Sequence, residues 1–310
     1  MVAQQTNQGQ YQLLKQLNQL QKFIGNTPLY PISRVWSKPG VQVYTKLEWY
    51  QLGGSIKSRP AFHIIKAALT DINWTNGKRL LDATSGNTGI AYAAISSALG
   101  LPLTLCIPEN ASKERIDILR SHQTDLVFTS RFEGTDGAQE VAKRMQLEKP
   151  EEYILLDQYS NCANWQAHIR STAPEIWAQT QGQVTHFVAG LGTTGTVTGT
   201  SKGLKAFNPR IKVIGLQPDS PMHGLEGWKH LETAIIPPIY KPQAHDELLE
   251  INTEEAIDLM KKVAIKEGLQ ISPSSAANLL GAIKVAEKLS SGTVVTTFAD
   301  DASKYREIWN

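Results

Sequence analysis

The sequence predicts an α/β protein whose sheets are mainly parallel. From about Val41 onward, short runs rich in β-branched and aliphatic residues alternate with segments of helical periodicity. Loops rich in glycine, serine and threonine stand where some of these strands give way to helices. Because strands that alternate with helices usually pair in parallel through crossovers, this order favours parallel sheets covered by helices on both faces.

The elements can be placed approximately along the chain. The expected strands span residues 41–47, 79–83, 102–107, 125–129, 185–189, 212–216 and 293–298. The expected helices span residues 89–99, 112–121, 137–144 and 196–206, and an amphipathic helix runs from Tyr11 to Leu20. Residues 218–246 break this rhythm, and such a long irregular segment indicates a functional loop or a domain-bridging segment.

Composition narrows the class of protein. The chain has 310 residues, 41% of them hydrophobic, so it can bury a full core. Its net charge of +2 gives no strongly basic surface that would attract nucleic acid. Its two cysteines form neither a disulfide framework nor a metal-ligand pattern. No apolar run has the length of a membrane span, and the N-terminus lacks the order of a signal peptide. We expect a cytoplasmic protein without a metal site.

Lys57 is the most informative residue of the chain. It lies in the segment 53–59 and is followed by two loops rich in small polar residues, 84–89 and 190–196. A lone lysine near a helix start is usually a solvated surface residue. Together with these loops it indicates a primary amine for a Schiff base, a cradle for an amino acid carboxylate and a cradle for a cofactor phosphate.

The loop 84–89 has two interpretations. It follows an expected strand and opens an expected helix, whose N-terminal N–H groups and partial positive charge suit a carboxylate or a phosphate. The hydroxyl groups of Ser85 and Thr88 would add donors. A simple N-cap explains the same residue types, so the sequence leaves both interpretations open.

The loop 190–196 has the same setting between a strand and a helix. Its spaced glycines match the dinucleotide-binding pattern, and Asp219 follows the next strand, where a ribose acceptor would lie. The motif lies in mid-chain, however, and Thr193, Thr194 and Thr196 supply hydroxyl groups that a pyrophosphate turn does not need. A site for a monophosphate is favoured.

Several motifs together resemble a known family, the pyridoxal-phosphate (PLP) enzymes of the cysteine synthase and cystathionine β-synthase group. The resemblance covers nearly the whole chain and is strongest to the cysteine synthase B branch. The motifs that carry it, in chain order, are residues 24–29, 53–59, 83–89, 158–164, 174–177, 192–196, 267–269 leading into Ser274, and 300–305.

The resemblance implies a fold as well as a family. The expected architecture is the two-domain PLP fold type II, similar to the tryptophan synthase β subunit, with parallel-rich twisted sheets. A smaller α/β domain, residues 46–149, would carry the substrate loop. A larger α/β domain, residues 1–45 plus 150–310, would carry the phosphate loop and the serine at the pyridine nitrogen.

The resemblance also implies roles for single residues. Lys57 would bind the aldehyde of pyridoxal 5'-phosphate covalently and later move the α-proton of the substrate. Asn87 would contact the ring hydroxyl oxygen, and Ser274 would lie at the pyridine nitrogen. The expected phosphate ligands are Gly192, Thr193, Thr194, Gly195 and Thr196. The expected substrate-binding residues are Thr84, Ser85, Gly86, Thr88 and Gln158.

The implied reaction is the β-replacement of O-acetyl-L-serine, or of O-phosphoserine, by sulfide, which gives L-cysteine through an aminoacrylate. Thiosulfate is an alternative nucleophile. Alternative functions are a cystathionine β-synthase, a serine or threonine dehydratase, and a catalytically silent paralogue that binds serine acetyltransferase. The resemblance further implies a homodimer, with serine acetyltransferase as a partner.

The chain departs from the usual family pattern at three places. Gln51-Leu52 stands where Asn-Pro is common, and Ser58 stands where Asp is common. Residues 272–276 read Ser-Pro-Ser-Ser-Ala in place of Gly-Ile/Val-Ser-Ser-Gly. Neutral drift and a shifted substrate preference both explain these changes. Lys229 and His230, in the irregular segment, are either solvated or placed to meet an anionic substrate.

Overall fold

A computed structural model describes residues 2–71, 74, 75, 77–84 and 86–309. The chain forms two compact units. The first comprises Met1–Gly25, Gln51–Gly53 and Lys57–Ala163, and the second comprises Asn26–Tyr50, Gly54–Ile56 and Asn164–Asn310. The domain limits expected from the sequence, residues 46–149 against the remainder, stay a prediction.

The described residues of the first unit form a four-stranded parallel sheet and five helices. The strands are β3 (Arg79–Ala83), β4 (Leu103–Pro108), β5 (Asp125–Thr129) and β6 (Tyr153–Leu155), in the order β5-β4-β3-β6. The helices are α1 (Val2–Leu20), α2 (Ser58–Thr70), α3 (Asn87–Leu99), α4 (Lys113–Ser121) and α5 (Gly134–Glu148).

Both faces of this sheet are covered by helices. On β3, Leu80 packs in one apolar cluster with Phe62 of α2 and Ile95 of α3. The next residue, Leu81, packs in another cluster with Ala138 of α5. Since successive side chains of a strand point to opposite faces of the sheet, these two clusters lie on opposite faces.

The second unit contains a six-stranded sheet. Its strands are β1 (Leu29–Ile32), β2 (Val41–Leu47), β7 (His186–Gly190), β8 (Lys212–Pro218), β9 (Glu247–Ile251) and β10 (Gly292–Phe298), in the order β1-β2-β10-β7-β8-β9. Only the β1–β2 pair among them is antiparallel. Its helices are α6 (Ala163–Arg170), α7 (Thr172–Gln179), α8 (Gly195–Phe207), α9 (Thr253–Glu267), α10 (Pro273–Glu287) and α11 (Arg306–Trp309).

This sheet is also covered on both faces. On β7, Phe187 packs in a cluster with Ile176 of α7 and Leu204 of α8. Its neighbour Val188 packs in a different cluster with Met260 of α9 and other residues of α9 and α10. The alternation again assigns the two clusters to opposite faces. The expected α/β class, with parallel-rich sheets and helices on both faces, is confirmed.

In the described part of the chain, none of the helices combines the length and the apolar character of a membrane span. The described residues also contain no group of three or more histidine, cysteine, aspartate or glutamate side chains that could hold a metal ion.

Glu267, the last residue of α9, fixes the segment that follows β1. Its Oε1 accepts the backbone N–H groups of Ser33, Arg34 and Val35 at 3.2, 2.8 and 2.9 Å, and its Oε2 accepts the Tyr30 hydroxyl at 3.1 Å. Burial alone would raise the pKa of Glu267, but these donors favour the ionised form by more and lower its pKa below the ordinary value.

Replacing Glu267 by glutamine is expected to lower the free energy of unfolding by about 1 kcal/mol at pH 7, because a neutral amide accepts hydrogen bonds less strongly than a carboxylate. A lowered native pKa stabilises the folded state above the ordinary glutamate pKa of 4.5, and this stabilisation disappears as the pH falls through the native pKa. Urea unfolding of both proteins from pH 7 to 3 should therefore show the difference shrink. Glu250→Gln, at an exposed position of β9, is the control and should show little change at any pH.

Candidate functional site

Lys57 occupies the N-cap position of α2. Its carbonyl oxygen accepts the N–H of Ala61 at 3.0 Å, and its side chain is half-buried. The preceding Gly53 has a φ of +87° and lies close to Ala91, so a side chain there would be both strained and crowded. Ser58 is fully buried directly after the lysine. A tight turn therefore fixes the lysine at the start of a packed helix.

Thr84 shapes the loop that joins β3 to α3. Its Oγ1 accepts the N–H of Gly86 at 3.0 Å and that of Gly89 at 3.3 Å. The helix α3 begins at Asn87, whose side chain is half-buried. Ser85, one of the expected substrate-binding residues, lies outside the described residues. Thr84 thus links the end of β3 to the first turn of α3, where the N–H groups of a helix N-terminus suit a bound anion.

Gln158 joins this loop from a distant part of the chain. Its Oε1 accepts the hydroxyl of Thr88 at 2.7 Å, and its Nε2 donates to the carbonyl oxygen of Ala83 at 2.7 Å. Both Thr88 and Gln158 are buried. The structure therefore brings together two expected substrate-binding side chains, and it shows that they bond to each other.

Gly86 permits close packing behind the loop. A Cβ at this position would come within 2.5 Å of Cδ and 2.8 Å of Nε of Arg115, a buried residue of α4. Any other residue would displace the arginine or the loop. The close packing of Arg115 therefore favours glycine at this position.

Asp82 supports the same loop and was not found from the sequence. Its Oδ1 accepts the N–H of Ala83 at 2.8 Å, and its Oδ2 accepts the N–H of Gln158 at 3.2 Å. Burial raises the pKa of Asp82 to about 7, although these bonds oppose the shift. The sequence feature that could have pointed to Asp82 is a carboxyl group within an otherwise apolar strand. Asp82 holds the backbone of Gln158 beside the end of β3.

The loop 190–196 joins β7 to α8 in the second unit. Thr194 is the N-cap residue of α8 and has a φ of +69°, a strained value for a β-branched residue. Its Oγ1, like that of Thr198 one turn later, is buried and has no hydrogen-bond partner among the described residues. Buried hydroxyl groups at a helix N-terminus fit a phosphate group, which accepts several hydrogen bonds.

Asn164 and His168 support this loop, although the sequence analysis assigned no role to either residue. Nδ2 of Asn164 donates to Oγ1 of Thr193 at 3.2 Å, and Nε2 of His168 lies 3.4 Å from Oγ1 of Thr196. A Cβ at Gly195 would collide with the side chain of Asn164. These contacts orient the hydroxyl groups on either side of the start of α8.

The irregular segment 218–246 packs directly on the beginning of this loop. The N–H of Lys229 donates to the carbonyl oxygen of Leu191 at 2.8 Å, and Gly227 presents its carbonyl oxygen to Gly192. The Lys229 side chain is only 7% exposed, so the interpretation of this residue as solvated is wrong. His230 bonds within its own segment, to Thr233 at 3.0 Å.

Ser274 lies in the first turn of α10 and is 5% exposed. Ser272 caps this helix by accepting the N–H of Ser275 at 3.2 Å. Pro273 is the first residue of the helix, where a fixed φ and a missing N–H are favourable. The departure from the family pattern at Pro273 therefore introduces no strain into the helix that carries Ser274.

Asn278 connects α10 to the loop 190–196. Its Oδ1 accepts the N–H of Gly190 at 2.8 Å, and its Nδ2 donates to the carbonyl oxygen of Thr297 at 2.8 Å. It follows Ser274 by about one helical turn, so both project from the same face of α10. The second unit thus ties the helix of Ser274 to the strand end that leads into the loop.

The expected site residues therefore form two groups. In the first unit, hydrogen bonds gather most of the described substrate-binding residues at the end of β3, with Asn87 at the adjoining start of α3. In the second unit, the five residues 192–196 precede or begin α8, and Asn278 links this loop to the helix of Ser274.

Known proteins match this chain over most of its length. Residues 20–300 match the family described as Pyridoxal-phosphate dependent enzyme. A cysteine synthase of Aquifex aeolicus is 43% identical over 92% of this chain and 89% of its own length. A cysteine synthase B of Salmonella typhimurium is 36% identical over 93% of this chain and 94% of its own.

Solved structures agree with these sequence matches. The crystal structure of a cysteine synthase from Entamoeba histolytica has a TM-score of 0.87 and 31% sequence identity, covering 93% of this chain and 88% of that one. The resemblance drawn from the sequence motifs is confirmed. The chain belongs to the pyridoxal-phosphate dependent enzyme family.

Proposed function

We propose that the chain is a PLP-dependent cysteine synthase that replaces the β-substituent of O-acetyl-L-serine, or of O-phospho-L-serine, with sulfide. The observation that carries the proposal is the loop 84–89, which Thr84 and Gln158 fold around the N-terminus of α3. Such a loop suits the carboxylate of an amino acid. The similarity to cysteine synthases over more than nine-tenths of the chain supports the same reaction.

Three segments of the chain would contact the cofactor. Residues 192–196 would bind its phosphate through hydroxyl and N–H groups, and the buried Oγ1 of Thr194 fits this role. Asn87 would contact the ring hydroxyl oxygen, and Ser274 would contact the ring nitrogen. When bound, the cofactor supplies an aldehyde that bonds to amines and a ring that withdraws electrons from the α-carbon.

Lys57 has two tasks in this scheme. Its amine would hold the cofactor covalently before the substrate arrives, and would then remove the α-proton of the substrate. Its place at the start of a packed helix limits the positions that the amine can take. Acetate or phosphate leaves the β-carbon of the substrate, sulfide bonds to that carbon, and the α-proton returns from the lysine.

The substrate carboxylate would be bound by the loop at the start of α3. The hydroxyl hydrogen of Thr88 is directed to Gln158, so the backbone N–H of Thr88 is the donor that this residue offers to a ligand. Thr84 already accepts two N–H groups and still has its own hydroxyl hydrogen to donate. Gly86 permits close approach, and Ser85 would add a further hydroxyl donor.

Three further properties belong to this proposal. The enzyme would act in the cytoplasm, it would form a homodimer, and it would bind serine acetyltransferase. All three properties rest on the family resemblance.

The test is a product assay of the purified protein loaded with PLP. O-acetyl-L-serine and O-phospho-L-serine are each offered with sulfide, thiosulfate or homocysteine, and amino acid products and released acetate or phosphate are quantified. We expect sulfide to give L-cysteine with an equal amount of released acetate or phosphate. A preference for homocysteine would favour the cystathionine β-synthase alternative. Serine and threonine are also offered alone, and oxo acid formed from either would favour a dehydratase. No product with any substrate would favour the silent paralogue.

A further inference from the structure

A series of hydrogen bonds between buried oxygen atoms begins at Ser274. Its Oγ lies 3.1 Å from Oγ of Ser272, which lies 2.8 Å from Oγ of Ser275. The Ser275 hydroxyl donates to the backbone carbonyl oxygen of Asp300 at 2.9 Å. Ser272, Ser275 and Asp300 are fully buried. This series of hydrogen bonds therefore runs from Ser274, the expected contact of the cofactor ring nitrogen, to the buried carbonyl group of Asp300.

The number of hydrogens fixes the direction of each bond. The Asp300 carbonyl can only accept, so Ser275 donates to it and must accept from Ser272. Ser272 has then used its single hydroxyl hydrogen. It already accepts the N–H of Ser275 at 3.2 Å, and its remaining lone pair accepts the hydroxyl of Ser274. Ser274 is left with lone pairs and no hydrogen to offer to a ligand.

We propose that Ser272 is a positioning residue that takes the hydroxyl hydrogen of Ser274, so that Ser274 faces the cofactor ring nitrogen as a hydrogen-bond acceptor. The proposal rests on the proposed function, which assigns Ser274 to that nitrogen. An acceptor pairs with a nitrogen that carries a proton, and a protonated ring withdraws electrons more strongly. A neutral serine alone does not require that proton.

The carbonyl group of Asp300 disfavours the opposite direction of these hydrogen bonds. If Ser274 donated to the ring nitrogen, Ser272 would donate to Ser274 and Ser275 would donate to Ser272. The buried Asp300 carbonyl would then lose its 2.9 Å bond and keep the longer one, 3.4 Å from the N–H of Ser272. An under-satisfied buried carbonyl is costly.

Two charged side chains, those of Asp300 and Lys304, lie beside these hydrogen bonds. The Asp300 carboxylate accepts the hydroxyl of Tyr305 at 2.9 Å and lies 3.8 Å from Nζ of Lys304. The carboxylate thus has a cationic neighbour and a hydroxyl donor of its own. The direction of the serine hydroxyl groups follows from the backbone carbonyl oxygen of Asp300 and does not depend on its carboxylate.

Ser272 also marks a difference from the family pattern, in which glycine is usual at this position. Glycine has no hydroxyl group, so the hydrogen of Ser274 would be free to point at a ring nitrogen that carries no proton. Replacing Ser272 by glycine should therefore reverse the role of Ser274. Since glycine is tolerated at an N-cap, the helix should be retained.

The experiment uses protein loaded with PLP that is labelled with ¹⁵N in the ring, observed by NMR. For the unsubstituted protein we expect the resonance of a protonated ring nitrogen, and for Ser272→Gly that of an unprotonated one. Ser272→Thr keeps a hydroxyl group and should restore the protonated signal. Asn252→Gly removes the cap of α9, also in the second unit, and should leave the signal unchanged.

An unprotonated nitrogen in the unsubstituted protein would overturn the proposal, as would identical resonances in the unsubstituted protein and in a folded Ser272→Gly variant. If Ser272→Gly does not fold, the resonance of the unsubstituted protein alone decides. Failure of the proposed function would look different, because the protein would then bind no labelled PLP or would form no cysteine in the product assay.

Discussion

Replacing Lys57 by alanine is expected to lower kcat/KM for cysteine formation by at least about 10³-fold, the scale of a lost general base. The same substitution removes the amine that binds the cofactor covalently. The lysine lies at the N-cap of α2 with a half-buried side chain, where no neighbouring residue of the helix start carries a second amine. Both tasks of the amine are therefore lost together.

Steady-state assays and borohydride reduction measure the two losses separately. After reduction, peptide mass mapping should find the cofactor on the peptide of Lys57 in the unsubstituted protein and on no peptide of the variant. Lys66→Ala, on the same helix, is the matched control; Lys66 bonds Asn18 at 3.0 Å at the surface and should be dispensable. A Lys57→Ala protein with a tenth or more of the original turnover would contradict the assigned role.

Lys46 is unsuitable as a second control, because its side chain is buried and paired. Its Nζ is fully buried, forms an ion pair with Glu175 at 2.9 Å and donates to Gln179 at 2.8 Å. Removing one partner of a buried ion pair typically costs about 3–5 kcal/mol. Loss of activity in a Lys46 variant would therefore report on folding.

The central strands could be predicted from the sequence, and most edge strands could not. Buried parallel strands appear as apolar runs, and all the expected strands are present with small shifts at their ends. The sequence missed β1, β6 and β9, and each of these lies at the edge of its sheet. Edge strands bury fewer side chains, as the largely exposed Glu247–Ile251 shows, so their apolar pattern is weak.

The loops of the candidate site could be predicted because glycine, serine, threonine and asparagine cluster at strand–helix junctions. The side chains that support these loops could not. Asp82 reaches the backbone of Gln158 across 76 positions of sequence, and Asn278 reaches Gly190 across 88. No local pattern contains such pairs, since only the folded sheet brings their segments together.

Gly192→Ala is expected to lower the affinity for PLP about 10-fold or more and to reduce the free energy of unfolding by about 1–3 kcal/mol, the usual cost of overpacking. A Cβ at this position would collide with the carbonyl oxygen of Gly227. This neighbour is backbone, and the adjacent Lys229 N–H is bonded to Leu191 at 2.8 Å, so the segment cannot move aside without losing that bond. The loop itself must shift, and it would carry Thr193 and Thr194 away from the phosphate.

Urea unfolding without PLP and a PLP titration measure these two effects. Gly224→Ala is the matched control, because the added Cβ would meet only Cγ2 of Thr253, at an ordinary contact distance of 3.5 Å. Both variants add one methyl group, but only Gly192→Ala adds it where the irregular segment covers the loop 190–196. If the two variants bound PLP equally well, the close contact between Gly192 and Gly227 would have no part in shaping the phosphate site, and this prediction would be wrong.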